Sequence, residues 1–133
     1  FVVNDGTTKL WFNAIGYLGY NGAGGWFDCQ NNNADNALTA GVWTLVTLNF
    51  MPDKFEVYYN GVLKFDNENN AAFASGDFRG YNNILNLFNT ASNFYFGYET
   101  WWKAAPALID DVYLCASPLT ASQAAALYNA TKK

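Results

Sequence analysis

The chain contains no histidine among its 133 residues. That removes the side chain that titrates near neutrality, and with it the Ser-His-Asp triad, the usual general base and imidazole ligation of metals. Charge is the second scarcity. Only 14% of the residues are charged, 7 Lys and Arg against 11 Asp and Glu, for a net charge of −4. So few cations, with no basic cluster, exclude nucleic acid and an anionic membrane surface as partners. Long apolar runs are missing too: none approaches the roughly 20 residues of a membrane span. No signal peptide is recognisable, and the start at Phe1-Val2-Val3 falls mid-pattern, which predicts a module cut from a longer chain. The two cysteines, Cys29 and Cys115, fit no CxxC or zinc spacing. They form either one disulfide closing a long loop or two buried thiols, depending on whether their strands are neighbours.

What is abundant is aromatic. Phe, Tyr and Trp number 11, 9 and 5, or 19% of the chain, more than an ordinary core needs. Asn takes the place of charge as the usual polar residue. This balance suits a secreted β-protein whose ligand is neutral and polar, and the length predicts one domain over residues 1–133 with a real core.

The pattern along the chain is of short strands and tight turns. Phe1–Val3 and Thr8–Phe12 flank an Asp5-Gly6 turn signal, and Ile15–Tyr20 and Trp26–Gln30 follow as strands around the Gly-rich Asn21–Gly25. Val42–Phe50 is a β-branched and aromatic run that reads as a central strand. Phe55–Tyr59 and Val62–Asp66 flank Asn60-Gly61, the strongest short hairpin signal. Phe55, Val57 and Tyr59 fall on one face of that hairpin, Glu56 and Tyr58 on the other. Residues 67–83 predict an irregular loop, and Ile84–Phe88 either a strand or a helical turn. Thr120 with Gln123 makes a capping box that opens the one convincing helix.

The stretch Ser92–Leu114 is the anomaly. Phe94, Phe96 and Tyr98 alternate as on a strand, and Leu108–Leu114 reads as a second strand. Between them lies a surface break carrying Trp101 and Trp102 in succession. Neighbouring residues cannot both enter one core without a turn between them, so at least one indole is expected in solvent. Many short strands with one terminal helix predict an all-β sandwich with Greek-key or jelly-roll wiring.

Two segments carry a family likeness. Leu38–Leu48, with its Gly41-Val42-Trp43-Thr44-Leu45-Val46 core, and Lys54–Leu63 around Asn60-Gly61 resemble the concanavalin A-like, laminin-G-like jelly rolls. Leu108–Leu114 with Pro118–Gln123 and Leu127-Tyr128 resembles that family's closing strand and short helix. The likeness covers about Leu38 to Asn129. The first 37 residues match less well, so either the roll is abbreviated or N-terminal strands lie outside the chain. The resemblance implies a lectin-like β-sandwich jelly roll with one short C-terminal helix, commonly a carbohydrate-binding module joined to a secreted, extracellular polysaccharide-degrading enzyme. It names no sugar.

A glycan offers flat C–H patches ringed by hydroxyls, which indole faces bind by dispersion and water release while amides and carboxylates orient the hydroxyls. On this chemistry Trp101 and Trp102 are the first candidates, against the alternative that both cap the core. Tyr98 is a third platform. Trp26, Asp28 and Gln30 alternate and so share a sheet face, a sensible sugar-binding row, with Phe27 and Cys29 facing the core. Tyr20 and Tyr81 are further candidates. Trp43 matches the family's core tryptophan and is expected to be structural, as is Trp11.

Asp110 and Asp111 raise the metal question, since an acid of this closing segment often contributes to a structural calcium site in jelly rolls resembling this one; Asp110 is the candidate ligand. Otherwise the pair bonds loop amides. Catalysis is not expected: glycosidases need two carboxylates across a cleft, glucanases of this fold carry an E-x-D-x-x-E cluster, and Glu56, Glu68 and Glu99 stand isolated. The expected function is therefore a non-catalytic carbohydrate-binding module for a neutral plant polysaccharide such as β-glucan or xyloglucan, linked to a catalytic domain. The rivals are a laminin-G-like protein-interaction or adhesion module and a structural accessory domain.

Overall fold

A computed structural model of the chain describes residues 2–4, 6, 9–14, 18–22, 25–28, 34–51, 54–66, 87–97 and 107–132, with the backbone alone at 20–22, 25–28 and 34. Eight strands and a C-terminal helix are assigned: β1 Val2–Asn4, β2 Lys9–Phe12, β3 Leu18–Gly22, β4 Gly25–Asp28, β5 Val46–Phe50, β6 Phe55–Tyr59, β7 Val62–Asp66, β8 Asn93–Tyr95 and α1 Ala121–Thr131. They build two antiparallel sheets, one of five strands in the order β4-β3-β2-β1-β8 and one of three in the order β5-β6-β7. The protein is all-β with one short C-terminal helix.

Strand alternation explains how the sheets meet. Val3, Leu10, Phe12 and Leu18 lie on one face of the five-stranded sheet, paired in register as Val3 with Leu10 and Phe12 with Leu18. They cluster with Phe55, Val57 and Leu87, and partly buried Val46, Leu48, Phe50, Tyr59, Phe65 and Phe88 pack against them. The even residues of β5 and the odd residues of β6 therefore supply the second apolar face, as the period of two requires. On the opposite face of the five-stranded sheet Val2 and Trp11 are buried as well. The Trp11 indole lies across its register partner Gly19, where an added Cβ would stand 2.2 Å from the ring.

The hairpin is built as its sequence predicts. Asn60 and Gly61 both take positive φ, 52° and 78°, which the Asn-Gly pair tolerates and which matches the strand twist. Asn60 ties the tip to the approach to β5, its N–H donating to Leu45 O and its Oδ1 accepting from Leu45 N, both at 2.9 Å. Glu56 and Tyr58 face away from the core, as expected, yet Tyr58 is 3% exposed. The helix explains this burial. It packs over β7, and Ala124 and Ala125 meet the backbone of Gly61.

Several elements differ from expectation. Strand β5 begins at Val46, not Val42, because a turn closed by Val42 N–H to Thr39 O holds residues 42–45 outside the ladder. Strand β3 runs to Gly22 and pairs Gly22 with Gly25 of β4, so part of the Gly-rich segment is sheet. Residues 87–90 are helical, the second of the two forms open to that segment. Strand β8 ends at Tyr95, and the chain bends at Phe96-Gly97. Leu108–Leu114 is not a strand: Asp111 sits at φ 47°, which breaks an extended run. No backbone bond joins it to a neighbouring strand among the described residues. The predicted loop 67–83 lies outside the described residues.

Candidate functional site

The sequence candidates distribute unevenly over the structure. Trp101, Trp102, Tyr98, Gln30 and Tyr81 lie outside the described residues, as does Cys29. Trp26 and Asp28 take alternate positions of β4, in register with Asn21 and Gly19, and Tyr20 stands between Leu10 and Phe27 in the register of β3. Trp26 and Asp28 thus occupy alternate backbone positions of one strand, and Gln30, the third member of the row, lies outside the described residues. Cys115 is exposed and carries a free thiol, so neither the disulfide nor the buried-thiol alternative holds for it.

What the structure brings together is an aromatic path from core to surface. Phe50 and Phe88 pack at a tilt of 41° with ring centroids 5.3 Å apart, and Phe88 meets Phe94 at 6.5 Å. Phe94 pairs in register with Val3 and Tyr95 with Val2, so inner neighbours on β1 are buried while the edge strand itself is open. Phe94 and Tyr95 are each 38% exposed, and Phe96 beyond them is exposed as well. These three precede Tyr98 and the Trp101-Trp102 pair directly in sequence.

Trp43 is a correction. Expected in the core, it is 59% exposed, with Val42 exposed beside it. The reason is the late start of β5: residues before Val46 leave the ladder, so alternation no longer aims Trp43 at the opposite sheet. Trp11 is buried, in keeping with a structural role.

The principal acid cluster described is a closed one. Glu56 accepts hydrogen bonds from Lys54 Nζ at 2.7 Å, Tyr58 Oη at 2.9 Å and Asn49 Nδ2 at 3.3 Å. Burial alone would raise its pKa, but these three donors and the Lys54 charge outweigh it, so the carboxyl titrates below its ordinary value. Burial, and then the bond to Glu56, push the Tyr58 hydroxyl up. Burial likewise pushes Tyr59 up to about 12, and its hydroxyl donates to Asn36 O at 2.7 Å. Asn49 completes the cluster: it is 3% exposed, donates to Leu119 O at 2.7 Å and accepts from Leu119 N at 3.0 Å. An ionised, fully coordinated carboxylate is suited to holding structure and poorly suited to donating a proton. Sequence reasoning missed this clamp because Asn49 and Leu119 are 70 positions apart.

Asp110 and Asp111 are exposed neighbours, with Asp111 N–H donating to Asp110 Oδ1 at 3.1 Å. Calcium takes six to eight oxygens. Among the described residues no group of three or more His, Cys, Asp or Glu comes together, so a calcium ion at Asp110 would need further oxygens from backbone, water or other residues.

No protein-family model matches the chain, and no curated protein matches it. A solved structure of an S-layer domain-containing protein from Clostridium thermocellum superimposes with a TM-score of 0.47 at 20% identity, over 91% of this chain and 55% of its own. The chain thus spans about half the length of that structure. Among the described residues, no helix is long and apolar enough to cross a membrane.

Proposed function

We propose that the chain is a non-catalytic carbohydrate-binding module with a jelly-roll sandwich fold, borne by a secreted polysaccharide-degrading enzyme and acting outside the cell. Its ligand is a neutral plant polysaccharide, a β-glucan or xyloglucan-like chain. The observation that carries this reading is the run of solvent-exposed aromatics Phe94, Tyr95 and Phe96 at a sheet edge, leading into Tyr98, Trp101 and Trp102. Partly exposed aromatic side chains on an ordered backbone lose little entropy when a sugar ring packs on them. Low charge favours an uncharged partner, and the net charge of −4 disfavours acidic pectin-like chains. The coordinated state of Glu56 supports the non-catalytic part of the reading, and the meeting of both sheets in one apolar cluster supports the sandwich.

Affinity electrophoresis and calorimetry against a polysaccharide panel test it, with wild type beside Trp101→Ala and Trp102→Ala. Retardation by one neutral glucan, lost in either variant while the fold persists, is the expected result. Absence of binding across the panel refutes the reading. Calcium at Asp110 belongs to the same proposal: EDTA is expected to lower the Tm and added calcium to restore it, and an unchanged melt removes the ion from the account.

A second reading draws on a different observation. Leu108, Ile109, Val112, Tyr113 and Leu114 are all more than half exposed, Leu108 at 82%, an apolar run of the kind that protein partners cover. A protein-interaction or adhesion module would be indifferent to soluble glucan, so the same panel separates the two.

A further inference from the structure

The turn before β5 holds an indole in solvent on a braced segment, and this is the reverse of what the core-tryptophan reading of Trp43 requires. An exposed tryptophan on a loose loop would mean little. Here the segment is fastened at both ends. Tyr59 Oη donates to Asn36 O at 2.7 Å and Leu38 N–H to Ala14 O at 2.8 Å on one side. On the other, the reciprocal bonds between Leu45 and Asn60 tie it to the hairpin tip. Between these points the turn closed by Val42 N–H to Thr39 O includes Gly41 at φ 75°, a conformation that glycine takes without strain. Trp43 stands two residues from the hairpin bonds, and the residue is 59% exposed.

The surroundings define the chemistry. From Ala34 to Leu48 the one charged residue is Asp35; the other polar side chains are those of Asn36, Thr39, Thr44 and Thr47. A flat indole carried on a braced backbone in a neutral, hydroxyl-bearing segment suits a ligand that is itself flat on one side, uncharged and rich in hydroxyls. We infer that Trp43 is the aromatic platform of a carbohydrate subsite on the turn at residues 39–45, taking the C–H face of a neutral pyranose ring. This rests on the carbohydrate-binding reading and adds a stacking residue that the Trp101-Trp102 loop does not supply.

The test uses xyloglucan and a β-glucan, each with its soluble oligosaccharides. Wild type, Trp43→Ala and Trp43→Phe are compared by calorimetry, tryptophan fluorescence and thermal melting. Trp43→Ala is expected to weaken binding about tenfold or more, with a Tm within a few degrees of wild type. Trp43→Phe recovers part of the affinity, and the fluorescence change on oligosaccharide addition shrinks in both variants. Unchanged affinity in Trp43→Ala overturns the subsite while leaving the carbohydrate-binding reading intact. Wild type that binds no glycan removes both. A large fall in Tm for Trp43→Phe as well as Trp43→Ala also overturns it, because the indole is then a packing residue. So does loss of self-association or of protein capture in Trp43→Ala without any change in glycan affinity, which would make the indole a protein contact.

Discussion

Gly61 shows how much one position can carry. Its φ of 78° is a left-handed conformation, and an added Cβ would stand 2.6 Å from the Cα of Ala125 in the helix. Turn strain and overpacking therefore act together, and Gly61→Ala is expected to cost about 2–4 kcal/mol in urea unfolding. Glu56 carries a different kind of weight. Its pKa is lowered on folding, so its contribution is complete above the ordinary value of 4.5 and is lost as pH falls through the folded-state value. Glu56→Gln is expected to flatten the acid limb of the stability–pH curve and to cost about 1 kcal/mol at pH 7. Unfolding midpoints measured from pH 3 to 7 in both proteins check the sign. An equally steep acid limb in the variant would mean that other carboxylates set it.

The helix and the three-stranded sheet hold together through a junction that neither element makes alone. Inside the helix, Thr120 N–H donates to Gln123 Oε1 at 2.8 Å and Gln123 N–H returns to Thr120 Oγ1 at 3.3 Å. Outside it, the paired bonds of Asn49 to Leu119 fix where the capped helix begins on the sheet. The two kinds of fastening predict different losses. Thr120→Ala removes a solvent-side cap and is expected to cost about 1 kcal/mol. Asn49→Ala leaves both polar groups of Leu119 without their buried partner and withdraws one donor from Glu56, so about 2–3 kcal/mol is expected. Hydrogen exchange separates them further: Asn49→Ala should lower protection along α1 and at the β5–β6 ladder together, whereas Thr120→Ala should affect the first helical turn alone.

Burial across the fold is lopsided. The two sheets close on a shared cluster of Val3, Leu10, Phe12, Leu18, Phe55, Val57 and Leu87, while residues 107–115 lie exposed with no ladder bonds among the described residues. Opening that segment disturbs no sheet, so it belongs to the low end of the local stability range. Limited proteolysis with chymotrypsin is therefore expected to cut after Tyr113 or Leu114 well before it cuts after Phe55 or Tyr58. Mass spectrometry of the early fragments reads the order. No cleavage at 113–114 would show that this apolar run is covered in solution, in line with the protein-interaction reading, and early cleavage inside β6 would overturn the order of local stability.

Much of the architecture could be read from the residues because its causes are local. Asn60-Gly61 makes its turn through its own two backbones, Thr120 and Gln123 cap each other three positions apart, and the alternation of Phe55 to Tyr59 assigns faces to a strand before any partner is known. The misreadings have one physical origin. Leu108–Leu114 has a strand's composition, but a strand exists only when a second backbone completes its hydrogen bonds, and among the described residues none does, Asp111 turning the chain at φ 47°. Trp43 has a core residue's identity, but burial belongs to whatever lies opposite, and the turn at Thr39–Val42 takes it out of the sheet. Asn49 and Leu119 reveal nothing of each other in sequence, since their bond depends on the docking of a helix against a sheet. Composition thus established an aromatic, charge-poor β-protein, and short-range chemistry its turns and cap. Which aromatic rings are left facing water was settled by long-range packing, because exposure is a property of neighbours distant in the chain.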